Sequence, residues 1–123
     1  MAYTGKNPFT IPRPMFLDGG FNDETLNAGK VLTYRDSQYQ SLDPGGSHRN
    51  LAMPDAGARK GAWFWIANKA NGAENLVLQQ PDASTTLATL NQNEAALVFC
   101  TADGAQAAAT GWSLFAIFTI AIV

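Results

Sequence analysis

Charge is scarce in this chain. Of its 123 residues only 15% are Asp, Glu, Lys or Arg, against roughly 25% in an average soluble domain. A free monomer usually covers itself with more charge, so some of this surface is expected to meet a partner. The shortage is also local. All 8 Lys and Arg residues lie at or before Lys69, and no side chain after Asp103 is charged. Residues 1–69 sum to +2 and residues 70–123 to −4. No basic stripe is left to follow a phosphate backbone, which argues against nucleic acid as a partner.

Cysteine and histidine are scarcer still, with one of each, Cys100 and His48. A lone cysteine makes no intrachain disulfide, and one histidine with one thiol does not build a structural zinc site. Asp43, Asp55, Glu74, Asp82, Glu94 and Asp103 are spread one to a turn. That spacing suits turn formers rather than a cluster of metal ligands. His48 has neither a nucleophile nor an orienting carboxylate at a useful local spacing, so a catalytic role is not expected. Cys100 ends the apolar run Leu97-Val98-Phe99-Cys100 and reads as a buried, inert thiol. Gly45-Gly46 and the Gly57 to Gly61 stretch lack the following helix that a phosphate loop needs. No catalytic, cofactor-binding or metal-binding residues are therefore assigned, and the chain is not expected to be an enzyme.

Long apolar runs are nearly absent. The N-terminal MAYTGKNPFTIPRP has no apolar core of the secretory kind. Residues 107–123 form an uncharged stretch near the lower length limit for a spanning helix. Ile117, Thr119, Ile120, Ile122 and Val123 are β-branched and no Lys or Arg flanks the run. A buried strand is the expected form rather than a tail anchor, and no membrane partner is expected.

What is present is strand and turn. Candidate strands are Lys30–Tyr34, Arg49–Met53, Ala62–Asn68, Leu76–Gln80, Thr86–Leu90, Ala95–Cys100 and Trp112–Val123. Gly-, Pro-, Asn- and Asp-rich turns separate them, and no window shows a helical apolar stripe. Short strands with such punctuation predict an all-β fold, an antiparallel β-sandwich or barrel. Alternation puts Leu76 and Leu78 on the core side, with Val77 and Gln79 opposite. If Phe64 and Ile66 fill the core, Trp63 and Trp65 project outward, where large amphipathic rings suit an interface. Cover by loops or by the N-terminal segment is the alternative.

Residues 1–29 differ from the rest. Pro8, Pro12 and Pro14 exclude helix and mid-sheet positions, yet Tyr3, Phe9, Met15, Phe16, Leu17 and Phe21 are too apolar for a solvated linker. An extended arm over 1–29 lying on another apolar surface is expected, followed by a single β domain over 30–123. A terminus without function is the alternative.

The runs Gly61-Ala62-Trp63-Phe64-Trp65-Ile66-Ala67-Asn68, Asn71-Gly72-Ala73-Glu74-Asn75-Leu76-Val77-Leu78 and Thr86 to Val98, followed by Asp103-Gly104 and Trp112, resemble a module of small tailed-phage virion proteins. Over about residues 40–115 the chain is similar to capsid decoration, or cement, proteins, with some likeness to tail and fibre domains. In that pattern Asn71-Gly72 is a positive-φ turn leading to the facing strand Leu76–Leu78. Ala105–Gly111 and the apolar Leu114–Val123 depart from it, and point to a specialised trimer contact. The resemblance implies a jelly-roll or β-tulip-like barrel and a structural virion protein. Such a protein is made in the host cytoplasm and sits on the capsid exterior as a homotrimer bound to the major capsid protein. It also implies no cofactor. The expected capsid or subunit contacts are Tyr3, Phe9, Pro12, Arg13, Pro14, Phe16, Trp63, Trp65, Phe115 and Phe118. The competing expectation is a tail, spike or fibre module that stacks host-surface glycans on Trp63 or Trp65.

Overall fold

The structure is a computed structural model that describes residues 20–55, 60–102 and 108–120. Nine strands and no helix occur among them: β1 Phe21–Thr25, β2 Lys30–Val31, β3 Tyr39–Asp43, β4 Arg49–Ala52, β5 Trp63–Asn68, β6 Leu76–Gln79, β7 Thr86–Leu90, β8 Glu94–Cys100 and β9 Trp112–Thr119. They form two mixed sheets, one of five strands in the order β1-β3-β5-β8-β9 and one of four in the order β2-β4-β6-β7. Leu42, Phe64, Ile66, Val98 and Trp112 from the first sheet and Leu51, Leu76, Leu78 and Leu90 from the second share one buried core. Each such aliphatic side chain removed from water contributes about 1.5–3 kcal/mol, so burial between the sheets is the main stabilising force. The core is of the sandwich kind.

The antiparallel expectation is corrected. β1, β3 and β5 run parallel in one sheet, and β2, β4 and β6 run parallel in the other. The chain alternates between sheets with each strand and returns beside the strand two earlier, so its first half winds like a coil. Only the second half, β5 with β8, β6 with β7 and β8 with β9, is antiparallel. The physical reason is that a turn crossing between facing sheets spaces strands much as a hairpin does. Barrel closure is corrected as well, because among the described residues β1 and β9 edge one sheet and β2 and β7 the other.

The connection from β5 to β6 shows the difference locally. Gly72 is not left-handed, contrary to the hairpin-turn expectation, because residues 69–75 cross to the opposite sheet. The fully buried Asn68 organises the crossing. Its Nδ2 donates to the carbonyls of Glu74 and Leu90 at 2.9 and 3.0 Å, and its Oδ1 accepts from the N–H of Ala70 at 2.9 Å. A buried amide satisfied on both sides replaces the missing ladder bonds at this corner. Leu76 and Leu78 are fully buried as alternation predicts, but Gln79 is also buried, where a register shift after Leu78 breaks the alternation.

Two strands lie where none is expected. β3 has a single aliphatic residue, Leu42, and its other fully buried side chain is Gln40. Gln40 accepts from Asn22 at 2.8 Å and donates to the Ser37 carbonyl at 2.6 Å. β1 lies inside the segment read as an extended arm, and pairs in register from Phe21 with Tyr39 to Thr25 with Asp43. Residues 1–19 of that segment lie outside the described residues.

Candidate binding surface

The parallel register lines up aromatic residues across the outer face of the five-stranded sheet. Phe21 is opposite Tyr39, and Tyr39 is opposite Trp65. The rings of Phe21 and Tyr39 stack with centroids 4.7 Å apart, those of Tyr39 and Trp65 at 6.3 Å, and those of Trp65 and Phe118 at 5.2 Å. Phe118 reaches Trp65 across β8 because its partner there is the small Ala95. Separations of 4.7 and 5.2 Å are too short for rings lying side by side in one plane. The row therefore turns ring faces toward one another and leaves mostly edges for solvent.

Beside this row β9 forms the far edge of the sheet among the described residues. Leu114, Phe115, Ile117 and Phe118 are all exposed, Phe115 at 70%. Leu114 and Ile117 are paired with the core-facing Val98 and Ala96, whereas Phe115 packs edge-on against Phe99 at 5.6 Å. Both faces of this strand are thus apolar and both meet water. A register shift between Leu97 and Val98 leaves Phe115 without a partner on β8. Such a bulge interrupts the alternation of backbone groups and is a common guard against edge-to-edge pairing. The strand consequently offers side chains more readily than a regular backbone ladder.

Trp112 anchors the start of β9 in the core. Its Nε1 donates to the Pro54 carbonyl at 3.0 Å, and its ring lies 5.7 Å from that of Phe64. The buried Gln80 side chain donates to the Trp112 carbonyl at 2.8 Å and accepts from the Trp112 N–H at 3.1 Å. This reciprocal pair, a side-chain amide standing in for a strand, joins the end of β6 to the other sheet.

Polar groups elsewhere act as turn formers. His48 Nδ1 accepts the N–H of Asn75 at 2.8 Å, beside an open depression lined by Gly46, Ser47, Ala73 and Glu74. Asp82 accepts from the backbone N–H groups of Ser84 and Thr85 at 3.0 and 2.8 Å, and from both hydroxyls. The Thr85 hydroxyl, followed by these backbone donors, holds the Asp82 carboxyl down to a pKa of about 2. Glu24 is also held below the usual carboxylate range, first by its hydrogen bond from Lys30 at 2.6 Å and then by that from Asn22 at 3.0 Å. Lys69 pairs with Asp23, tying β1 to the end of β5 across β3. Cys100 is buried, with its thiol against the Ala102 carbonyl. Among the described residues no three His, Cys, Asp or Glu side chains gather to hold a metal ion, and no helix is long and apolar enough to cross a membrane.

Of the contact residues named from sequence, Trp63, Trp65, Phe115 and Phe118 come together on the outer face of the five-stranded sheet. Tyr3, Phe9, Pro12, Arg13, Pro14 and Phe16 lie outside the described residues. Tyr39, Leu114 and Ile117 are not among the surface residues expected from sequence, and Phe21 is expected in the arm. Tyr39 had no signal, since it joins the row only through the parallel register. Leu114 and Ile117 sat within a run already read as apolar strand. Comparison with models of protein families, with curated proteins and with solved structures finds no match.

Proposed function

We propose that this chain is a structural virion protein of the capsid decoration, or cement, type. On this reading it binds the outside of a tailed-phage head and stabilises contacts between major capsid protein subunits, as a homotrimer, without catalysis or a cofactor. The observation that carries the reading is the uncharged strand β9, whose exposed Leu114, Phe115, Ile117 and Phe118 adjoin Trp63 and Trp65. An apolar surface of this kind is costly on a free monomer and gains when a protein partner covers it. Repetition of one modest contact around a shell gives high occupancy through avidity. The glycan-binding alternative has less support. A sugar needs an open ring face, and Trp65 stands between Tyr39 and Phe118 in the stacked row.

Co-sedimentation of the full chain with undecorated shells of the parent phage tests the proposal. Saturable binding at a fixed ratio to major capsid protein, with threefold density on the shell, is the expected result. Absence of binding, together with glycan-array signals lost on Trp63→Ala or Trp65→Ala, supports the tail or fibre reading instead.

A further inference from the structure

The Asn71-Gly72 pair sits in the middle of the β5–β6 crossing, and both ends of that crossing are fixed. Ala70 donates its N–H to Asn68 Oδ1 at 2.9 Å, and its carbonyl accepts from Gln92 Nε2 at 2.9 Å. Beyond the pair, the Glu74 carbonyl accepts from Asn68 Nδ2 at 2.9 Å, and Asn75 donates its N–H to His48 Nδ1 at 2.8 Å. Between these anchors Asn71 is exposed. Among the described residues no hydrogen bond engages its side-chain amide or the Gly72 N–H.

Glycine at 72 serves no left-handed turn, since its φ is ordinary. It serves close approach: a Cβ there would stand 2.8 Å from Glu74 Oε2 and 3.1 Å from Oε1. The packing of Glu74 thus keeps a residue without a side chain directly after an exposed asparagine. That combination has a chemical consequence. The side-chain carbonyl carbon of an asparagine and the next backbone nitrogen are held close enough to react, and a side chain on the following residue is the usual obstacle.

We propose that Asn71 is a site of spontaneous succinimide formation in the folded protein, and that its isoaspartyl product loosens the β5–β6 crossing. The Gly72 nitrogen forms a bond to Asn71 Cγ, the Cγ–Nδ2 bond breaks, and Nδ2 leaves as ammonia with the Gly72 amide proton. Water then opens the ring at either carbonyl, giving aspartate or isoaspartate. Isoaspartate carries the main chain through the former side chain and lengthens it by one carbon–carbon bond, about 1.5 Å. The extra length falls between anchors that Asn68 itself holds together. Both products also add a negative charge three positions before Glu74, whose buried Oε2 has no hydrogen-bond partner among the described residues. This inference does not depend on the capsid reading.

Storage of the full chain in mildly alkaline buffer, with and without urea, followed by peptide mapping and isoaspartyl methyltransferase labelling, tests it. The folded chain is expected to convert Asn71 at least ~10-fold faster than any other asparagine, releasing ammonia and giving both aspartate and isoaspartate. The isoaspartyl fraction, separated by chromatography, is expected to melt below the parent. Asn71→Gln is expected to show no labelling within residues 69–75 and to keep its melting temperature through storage. Conversion of Asn71 in urea but not in the folded chain overturns the proposal, as does conversion to aspartate alone. An isoaspartyl fraction that melts with the parent, or an equal loss of stability in stored Asn71→Gln, overturns the loosening.

Discussion

Trp65 and Phe118 stack at 5.2 Å although β8 lies between their strands. The contact ties the uncharged edge strand to the aromatic row, so the exposed residues of β9 are held on a rigid sheet rather than on a loop. Trp65 is half-buried between two rings, whereas Phe118 is 40% exposed at the edge. Trp65→Ala is expected to cost about 2–3 kcal/mol in urea unfolding, below the range for a fully buried tryptophan. Phe118→Ala is expected to cost only about 1 kcal/mol, mainly the lost ring contact.

Asn68 is the polar keystone of the β5–β6 crossing. Asn68→Ala removes the partner of the Leu90 carbonyl and of the Ala70 N–H in buried hydrogen bonds, and of the Glu74 carbonyl in a part-buried one, for an expected loss of about 2–4 kcal/mol. Asn68→Asp keeps the shape but turns an acceptor toward the carbonyls of Glu74 and Leu90. It is expected to unfold more easily than the parent at neutral pH and to recover part of the difference on acidification, as chemical denaturation at several pH values checks.

Two turn positions have opposite expected signs. Gly45 has φ +73° and a Cβ there would meet the Leu26 carbonyl, so Gly45→Ala is expected to destabilise by about 2 kcal/mol or more. Ala83 has φ +56° without being glycine. Relief of left-handed strain outweighs the added chain entropy, so Ala83→Gly is expected to stabilise by about 0.5–1 kcal/mol. Thermal melts of the two variants beside the parent decide both.

Acid weakens the 82–85 turn by a calculable route. Asp82 is depressed from 3.8 to about 2, so its contribution is present above the unfolded value and lost as pH falls through the folded one. Melting temperature is expected to drop between pH ~4 and ~2, and Asp82→Asn is expected to flatten that part of the profile. Glu24, shifted in the same direction by Lys30 and Asn22, adds to the drop in both proteins. Melts of parent and variant across that range check the difference.

The positions of β4 to β9 were legible because apolar runs such as Trp63–Ala67 and Leu76–Leu78 are bounded by turn residues. β1 and β3 were not, since Asn22, Asp23, Glu24, Gln40 and Ser41 give them no apolar alternation, and their stability comes from pairing and from the Asn22–Gln40 contact. Pairing direction was hidden for a related reason: nothing in the sequence of residues 69–75 tells a crossing from a hairpin, and the difference lies in long-range contacts such as the bond from Asn68 to the Leu90 carbonyl. The outward tryptophans were readable as a surface, but the apolar C-terminal run was expected as a buried strand, whereas Leu114, Phe115, Ile117 and Phe118 of β9 are exposed because β9 lies at the edge of its sheet among the described residues. The row joining them was not, because Tyr39 enters it through a register set 26 residues away at Trp65.

On the proposed function, the apolar end of the five-stranded sheet meets the phage shell. Phe115 and Phe118 are exposed and lie outside the shared core, so Phe115→Ser with Phe118→Ser leaves that core intact. The decisive measurement is equilibrium binding of this double variant and the parent chain to undecorated shells, with circular dichroism verifying the fold of both. Saturable binding by the parent and at least a ~100-fold weaker Kd for the folded variant, equivalent to about 2.7 kcal/mol of lost contact, is the expected result. Equal binding by the two proteins, or none by the parent, contradicts it.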